Sequence, residues 1–166
     1  MKVFFIIFIS FLVAALLQMV PLPIWAIWLR PEWILLVLIY WILYLPENVG
    51  LNTAFVAGVF LDVLMGTLLG ENAFAFVAIV YIMMRFSRRI ELSPGWQQAV
   101  LILFLMLIFQ TYKFMVWRWL YGQGVEPLYW ISSATTALLW PWVYAILSKL
   151  QHHHLHPGRH SPLGNL

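Results

Sequence analysis

The sequence predicts an all-α membrane protein, folded as a six-helix transmembrane bundle with both termini in the cytoplasm. Of its 166 residues, 64% are hydrophobic and 9% are charged, against roughly 45–50% and about 25% in soluble domains. The apolar residues fall into six runs, and a membrane-spanning helix needs about 20 such residues. Even numbers of spans separate the cation clusters, so that all of them can face the cytoplasm.

These runs divide the chain into one transmembrane domain, residues 1–150, and a short tail. Prolines and glycines stand between most of the runs, as expected of connections that interrupt a helix. The spans are expected near 3–20, 31–46, 53–70, 72–87, 97–120 and 128–148. Residues 151–166 carry all five histidines and are expected to form a disordered cytoplasmic tail.

The first span follows Lys2 directly and looks like a secretory signal, with Val13-Ala14-Ala15 as a small-residue cleavage site. Two features favour a retained helix over a cleaved signal. The apolar run continues past Ala15, and cleavage would remove the one cation at the amino terminus. We therefore expect the first run to remain as a span.

Arg30-Pro31-Glu32 opens the second span. Proline fits the first turn of a helix, where its missing N–H loses no hydrogen bond, and Glu32 lies at the positive end of the helix dipole. Arg30 is held extended by the following proline, and it either anchors the helix at the membrane surface or points into the bundle. Arg30 and Pro31 are candidate structural or partner-interface residues.

Small or polar residues recur every four positions through the third span. Such a step drifts slowly around a helix, so these residues form one stripe that lets another helix approach closely in lipid. The stripe consists of Ala54, Gly58, Asp62, Gly66 and Gly70. Asp62 is expected near mid-membrane, where insertion is disfavoured by roughly 2.5–3.5 kcal/mol. Its role is open between a buried polar pin, an ion or proton pathway and a partner contact.

The fourth span follows the third with only Gly70-Glu71 as a break, which predicts a tight hairpin. It ends in the arginine cluster at 85–89. This cluster, Lys2 and Lys149 all fall on one side of a six-span topology. The excess of cations assigns that side to the cytoplasm.

Gln110 and Lys113 lie three residues apart in the fifth span and share a helix face. Counted along the helices, Lys113 and Asp62 differ in depth by roughly 9 Å. We expect Lys113 or Gln110 to satisfy Asp62, directly or through water. Alternatively, Lys113 extends to the outer interface beside Arg118.

Pro141 lies inside the sixth span, within Leu139-Trp140-Pro141-Trp142. A proline there frees a backbone carbonyl and bends the helix. Such a bend either shapes a groove for a partner or has no role of its own, because neighbouring helices satisfy the carbonyl.

Composition excludes most catalytic classes. Without cysteine there is no disulfide or thiolate chemistry, and histidine is confined to the tail. Asp62 is the only aspartate, so neither a two-aspartate protease nor a magnesium site built on several aspartates can form. Serine–lysine chemistry with Lys113 is formally open, but no spacing supports it. We expect no catalytic residue, metal or cofactor, and no nucleic-acid partner.

Four segments carry a resemblance to a known family. They are Arg30-Pro31-x-Trp33 with Tyr40-Trp41, Gly58-x3-Asp62-x3-Gly66-x3-Gly70, Trp96-Gln97-Gln98-Ala99 and Leu139-Trp140-Pro141-Trp142. In this order and spacing, over roughly residues 10–150, the chain resembles the bacterial rod shape-determining protein MreD family.

The resemblance implies a non-catalytic, multi-pass inner-membrane subunit of the complex that elongates the bacterial cell wall. It implies direct association with MreC and membership of one complex with MreB, the RodA glycosyltransferase and its class B penicillin-binding transpeptidase, within membrane lipid. It also implies a bundle similar to the substrate-binding subunits of energy-coupling-factor transporters. The Arg30-Pro31 corner and the stripe from Gly58 to Gly70 would then serve as architecture or partner surface.

An alternative function is a substrate-binding subunit for a small, vitamin-like molecule. Such a subunit needs several polar groups converging on a cavity. The spans offer few candidates: Asp62, Gln110, Thr111, Lys113 and the hydroxyl residues between 132 and 136. An assembly subunit accounts better for the sequence, because helix faces and short loops are nearly all that this chain can offer a partner.

Overall fold

The computed structural model describes residues 2–91, 93–122 and 127–155, and within these residues it contains six α-helices and no β-strand. The helices are α1 (Lys2–Met19), α2 (Trp33–Tyr44), α3 (Leu51–Met65), α4 (Glu71–Glu91), α5 (Gly95–Tyr121) and α6 (Ile131–Leu155). Short 3₁₀ segments, Ile24–Leu29 and Pro127–Trp130, precede α2 and α6. The predicted all-α fold is confirmed.

Neighbouring helices in the chain run antiparallel. On α1 and α2, Ser10 meets Trp41 and Gln18 meets Trp33, an order that only opposite directions allow. We call the end of the bundle where α3 passes into α4 the hairpin end. The end of α1, the start of α2, the end of α5 and the start of α6 lie there too.

The second helix is the centre of the bundle. All of its residues from 34 to 43 are buried, and α1, α4 and α6 pack around it. This helix is apolar on every side, which suits a position in the core of a bundle. Two of its buried aromatic side chains have hydrogen-bond partners in other helices. Tyr40 Oη donates to Gln151 Oε1 at 2.8 Å, and Trp41 Nε1 donates to Ser10 Oγ at 2.8 Å.

The start of α2 differs from the expected one. The helix begins at Trp33 with Glu32 as its N-cap, so Pro31 precedes the first turn instead of forming it. The backbone N–H of Glu32 donates to Thr136 Oγ1 and that of Trp33 donates to Gln18 Oε1. Side chains of α1 and α6 therefore satisfy the N–H groups that a helix start leaves without intrahelical partners.

The last helix is longer than the expected sixth span. It continues to Leu155, five residues into the segment expected to be disordered, and Gln151 is held there by the hydroxyl of Tyr40. Each added residue extends an existing helix at little cost once the helix has formed. The rest of the predicted tail, 156–166, lies outside the described residues.

The bundle has an apolar exterior. Large side chains such as Phe5, Phe8, Phe104, Leu138 and Trp142 are exposed, and such a surface is suited to contact with lipid. Among the described residues one helix is long and apolar enough to cross a membrane, Gly95–Leu120, with a mean hydropathy of 2.1. Three shorter apolar helices lie at Val3–Met19, Trp33–Tyr44 and Leu51–Met65. A membrane bundle fits these helices.

Candidate functional site at the hairpin end

Asp62 organises the turn between α3 and α4. Its Oδ1 accepts hydrogen bonds from Thr67 Oγ1 at 3.0 Å, from the Asn72 backbone N–H at 3.0 Å and from Asn72 Nδ2 at 2.8 Å. Its Oδ2 accepts one from the Gly70 backbone N–H at 2.8 Å. We call Asp62, Thr67, Gly70 and Asn72 the hairpin lock.

Two glycines of the predicted stripe form the turn instead of a helix face. Helix α3 ends at Met65, and Gly66 adopts the left-handed conformation at φ 64°, with its N–H donating to the Asp62 carbonyl. Gly70 has φ 100° and immediately precedes α4. Residues other than glycine rarely adopt these backbone conformations. The prediction that one continuous helix carries the stripe to Gly70 is therefore wrong.

The position of Asp62 corrects two further predictions. It lies in the last turn of α3 and not midway along a span, and its carboxylate is buried, 1% exposed. Its four donors leave no need for the direct contact with Lys113 or Gln110 that was expected, and that prediction is wrong. Two of the donors are backbone N–H groups at the start of α4, where a negative charge also interacts favourably with the helix dipole.

Gly58 is where α3 and α4 approach most closely. A Cβ atom built on Gly58 would overlap the Ala73 Cα and would lie 2.6 Å from the Ala73 backbone nitrogen. No real Cβ is found so close to a backbone atom, so the packing requires glycine here. The close approach expected of the stripe thus occurs at Gly58, one turn before Asp62.

Glu71, Gln110 and Lys113 lie around α4 and α5 near the hairpin lock. Gln110 and Glu71 are buried, yet Gln110 Oε1 and Glu71 Oε1 have no hydrogen-bond partner. Lys113 Nζ lies 5.2 Å from the centre of the Phe109 ring, a cation–π distance. Burial raises the pKa of Glu71, while the positive charge of Lys113 opposes that rise.

The Arg30-Pro31 corner is held against α6. The Arg30 carbonyl accepts a hydrogen bond from Ser132 Oγ at 2.6 Å, and Glu32 Oε2 accepts one from Gln18 Nε2 at 3.1 Å. Arg30 Nε is buried without a partner. Of the two roles open for Arg30, the buried Nε favours the one that points into the bundle.

At the opposite end of the bundle a second polar group joins three helices. Gln98 Nε2 donates to the carbonyls of Ile90, at 3.0 Å, and Ser93, at 3.2 Å, while its Oε1 accepts from Trp140 Nε1 at 3.1 Å. Two of the segments that carry the family resemblance therefore meet in space. Pro141, next to Trp140, is exposed and α6 passes through it as one helix.

The sequence alone did not single out Gln18, Thr67 or Asn72, and it did not predict the partners of Gln98 and Ser132. Thr67 and Asn72 flank a turn, where short polar side chains commonly form hydrogen bonds with the nearby backbone. Their position beside the turn was the only sequence signal for their role. Gln18, Gln98 and Ser132 act across helices far apart in the sequence, and nothing local to them marks their partners.

The chemistry open to this arrangement is that of holding helices together. The carboxylate of Asp62 already accepts four hydrogen bonds. Within the described residues, no group of three or more histidine, cysteine, aspartate or glutamate side chains could hold a metal ion. The polar side chains bond mainly to helix ends and to one another.

Comparison with known proteins finds one family whose members this chain resembles. The family model described as rod shape-determining protein MreD matches residues 1–150. A curated relative, the rod shape-determining protein MreD of Haemophilus influenzae, is 28% identical over 141 residues, which cover 85% of this chain and 87% of the relative. No solved structure matches the chain, so the expected similarity to energy-coupling-factor subunits stays a prediction.

Proposed function

The chain belongs to the rod shape-determining protein MreD family, and on that premise we propose that it is a non-catalytic subunit of the complex that elongates the bacterial cell wall. The observation that carries the proposal is the family match, which runs from α1 to residue 150, within α6. The polar side chains of the bundle support a non-catalytic role, because the contacts found for them bind helix to helix.

The proposal places the protein in the bacterial inner membrane as a multi-pass bundle. The apolar helices and exterior support this placement. With alternating helices, the end opposite the hairpin end carries Lys149 and the arginine cluster at 85–89. The excess of cations there favours a cytoplasmic location for that end and for both termini.

The proposed partners are those that the family resemblance implies. MreC is the direct partner, and MreB, the RodA glycosyltransferase and its class B transpeptidase belong to the same complex. Short connections and an apolar exterior support contacts made within the bilayer or at its edge. The protein would scaffold or regulate these partners, with the Arg30-Pro31 corner and the hairpin end as candidate architecture.

The transporter alternative is not favoured. The family match describes a shape-determining protein and not a transport subunit, and the buried polar atoms are largely engaged in helix contacts. Thermal stabilisation of the purified protein by a vitamin-like ligand would be needed to restore this alternative.

Depletion of the protein in a rod-shaped bacterium that encodes it tests the proposal. We expect depleted cells to widen and become round, and re-expression of the wild-type chain to restore rods. A transport subunit would instead give a growth defect that its nutrient relieves. Depleted cells that keep a normal width while growing would contradict the proposal.

A further inference from the structure

A pocket lies at the hairpin end, beside the hairpin lock. It is a cleft of about 360 Å³ between the α3–α4 turn and the last turns of α5. Its walls are Leu68, Leu69, Gly70, Glu71, Tyr112, Val116, Trp119 and Leu120. This volume falls within the range of small-molecule sites.

The polar feature of this cleft is the carboxylate of Glu71. The side chain is only 5% exposed, and Oε1 is buried without a hydrogen-bond partner. Lys113 does not supply the missing donor in this structure, since its Nζ lies on the Phe109 ring. A buried acceptor left unpaired is unfavourable, so the site favours an occupant that brings N–H donors and a positive charge.

The aromatic side chains point to the same chemistry. Tyr112 and Trp119 line the cleft with Glu71, and aromatic faces attract ammonium groups, tryptophan most strongly. Trp119 is 86% exposed, so its ring is open to a ligand. An ammonium group between the carboxylate and the ring would engage both.

The rim of the cleft indicates a lipid as the source of that ammonium group. Leu68, Leu69 and Leu120 are exposed around it, and Trp119 lies two residues before the end of α5. Tryptophans at helix ends are typical of the headgroup level of a membrane. A lipid seated here would place its glycerol and upper acyl chains on the leucines and its headgroup in the cleft.

We propose that this cleft binds the primary ammonium headgroup of a phosphatidylethanolamine-type lipid, with Glu71 as the acceptor and Trp119 as the aromatic wall. The proposal rests on the membrane placement proposed above. A primary ammonium has three N–H donors, as in lysine, whereas the quaternary ammonium of phosphatidylcholine has none. The site should therefore distinguish these two headgroups although both carry the same charge.

The test uses the full chain in nanodiscs of phosphatidylglycerol with equal amounts of phosphatidylethanolamine and phosphatidylcholine of matched acyl chains. Native mass spectrometry counts the lipids that the released protein retains. We expect about tenfold preference for phosphatidylethanolamine, the size of one charge-assisted hydrogen bond. Mono- and dimethylated headgroups should fall between the two. Equal retention by the wild type would overturn the proposal and would favour a partner's side chain as the occupant.

Two variants assign the preference to the cleft. Glu71→Gln should bring the preference close to parity, while Glu47→Gln, which changes an exposed acid in the α2–α3 connection, should leave it intact. If Glu71→Gln does not fold, Trp119→Ala tests the cleft instead and should reduce the preference. Its control is Trp142→Ala, which changes another exposed tryptophan. Undiminished preference in the cleft variants would contradict the proposal.

These outcomes are separate from those of the depletion test. The nanodisc measurement contains no partner protein and no cell wall, so loss of the lipid preference leaves the role in elongation standing. Conversely, normal cell width after depletion leaves the lipid result standing. Only failure of the chain to insert into membranes would remove both.

Discussion

The α3–α4 hairpin and helix α1 are held in the bundle in opposite ways. In the hairpin, Gly58 leaves no room for a methyl group against Ala73, and the buried Asp62 binds the turn through four hydrogen bonds. Helix α1 instead has apolar grooves on both sides. One, of about 390 Å³, faces α2 and α6, and the other, of about 600 Å³, faces α2 and α3.

Only a few polar contacts fix α1. Ser10 Oγ accepts from Trp41 Nε1, and Gln18 bonds both Glu32 and the Trp33 N–H. Apolar surface gives little drive for association between helices in lipid, because the lipid chains are equally apolar. The comparison teaches that close packing and buried hydrogen bonds define the hairpin. Helix α1 packs on α2 through buried residues such as Ala14 and Ala15, is fixed by two polar side chains, and leaves an open groove on each side.

The largest expected effect is that of removing the carboxylate of the hairpin lock. Asp62→Leu removes the acceptor of four hydrogen bonds, and only Asn72 Nδ2 among the donors has a second acceptor, Thr67 Oγ1. The substitution should lower the free energy of unfolding by about 4 kcal/mol, at about 1–3 kcal/mol for each buried unpaired group. Asp62→Asn retains one oxygen but turns an NH₂ toward the Gly70 N–H, and should lower it by about 2 kcal/mol. Thermal unfolding of the purified protein in one detergent measures both.

The control for these variants is Glu47→Gln, since Glu47 is exposed and its substitution should change stability by less than about 0.5 kcal/mol. Wild-type stability in Asp62→Leu would contradict the role assigned to the hairpin lock.

Gly58→Ala should lower stability by about 3 kcal/mol, at the upper end of overpacking effects, because the added methyl group meets backbone atoms that cannot rotate away. Gly95→Ala is the matched control. A Cβ at Gly95 meets no atom within 4 Å, so alanine there should be neutral or should stabilise by up to about 1 kcal/mol. The difference between the two melting temperatures is the measurement, and equal values would mean that α3 and α4 do not pack through Gly58.

Ser10→Ala tests the other side of the comparison. Loss of the hydroxyl leaves the buried Trp41 Nε1 without its acceptor and should lower stability by about 1–2 kcal/mol. Ser148→Ala removes a hydroxyl that bonds the Ala145 carbonyl of its own helix and should have a smaller effect. A loss in Ser10→Ala greater than that in Asp62→Leu would reverse the comparison between α1 and the hairpin.

The smallest effect is a pH dependence at Glu71. Because burial raises its pKa above the ordinary 4.5, the folded protein binds this proton more tightly than the unfolded chain does. Protonation therefore stabilises the fold at low pH, and that contribution is lost as pH rises through the raised pKa. In detergent without added lipid, wild type should gain stability relative to Glu71→Gln as pH falls from neutral toward 4.5. A gap that widens toward neutral pH in favour of wild type would contradict this sign.

Much of the fold followed from the sequence because lipid-length apolar runs leave few alternatives to helices. The close approach at Gly58 also followed, since small residues on a helix face favour it. The end of α3 did not, because Gly66 and Gly70 fit a four-residue helical stripe as well as they fit a turn. The spacing also does not reveal that Asp62 accepts hydrogen bonds from the N–H groups of Gly70 and Asn72 at the start of α4.

Contacts between segments far apart in the sequence could not be predicted from local sequence patterns. Gln98 and Trp140 both lie in segments that carry the family resemblance, yet they are 42 residues apart and neither marks the other as its partner. Gln18 likewise reads as one polar residue in an apolar run, although it satisfies the start of α2. Such pairs follow from how helices pack, which hydropathy alone leaves open.

Recovery of MreC with this protein from membranes is the most direct test of the proposed role. The tagged chain, expressed at its native level in the depleted rod-shaped host, is solubilised and purified, and MreC is quantified beside cell width. We expect MreC to co-purify with the wild type in cells that remain rods, and both to be lost together in Asp62→Leu at matched membrane level. Rods restored by a chain that brings down no more MreC than an unrelated membrane protein would contradict the account.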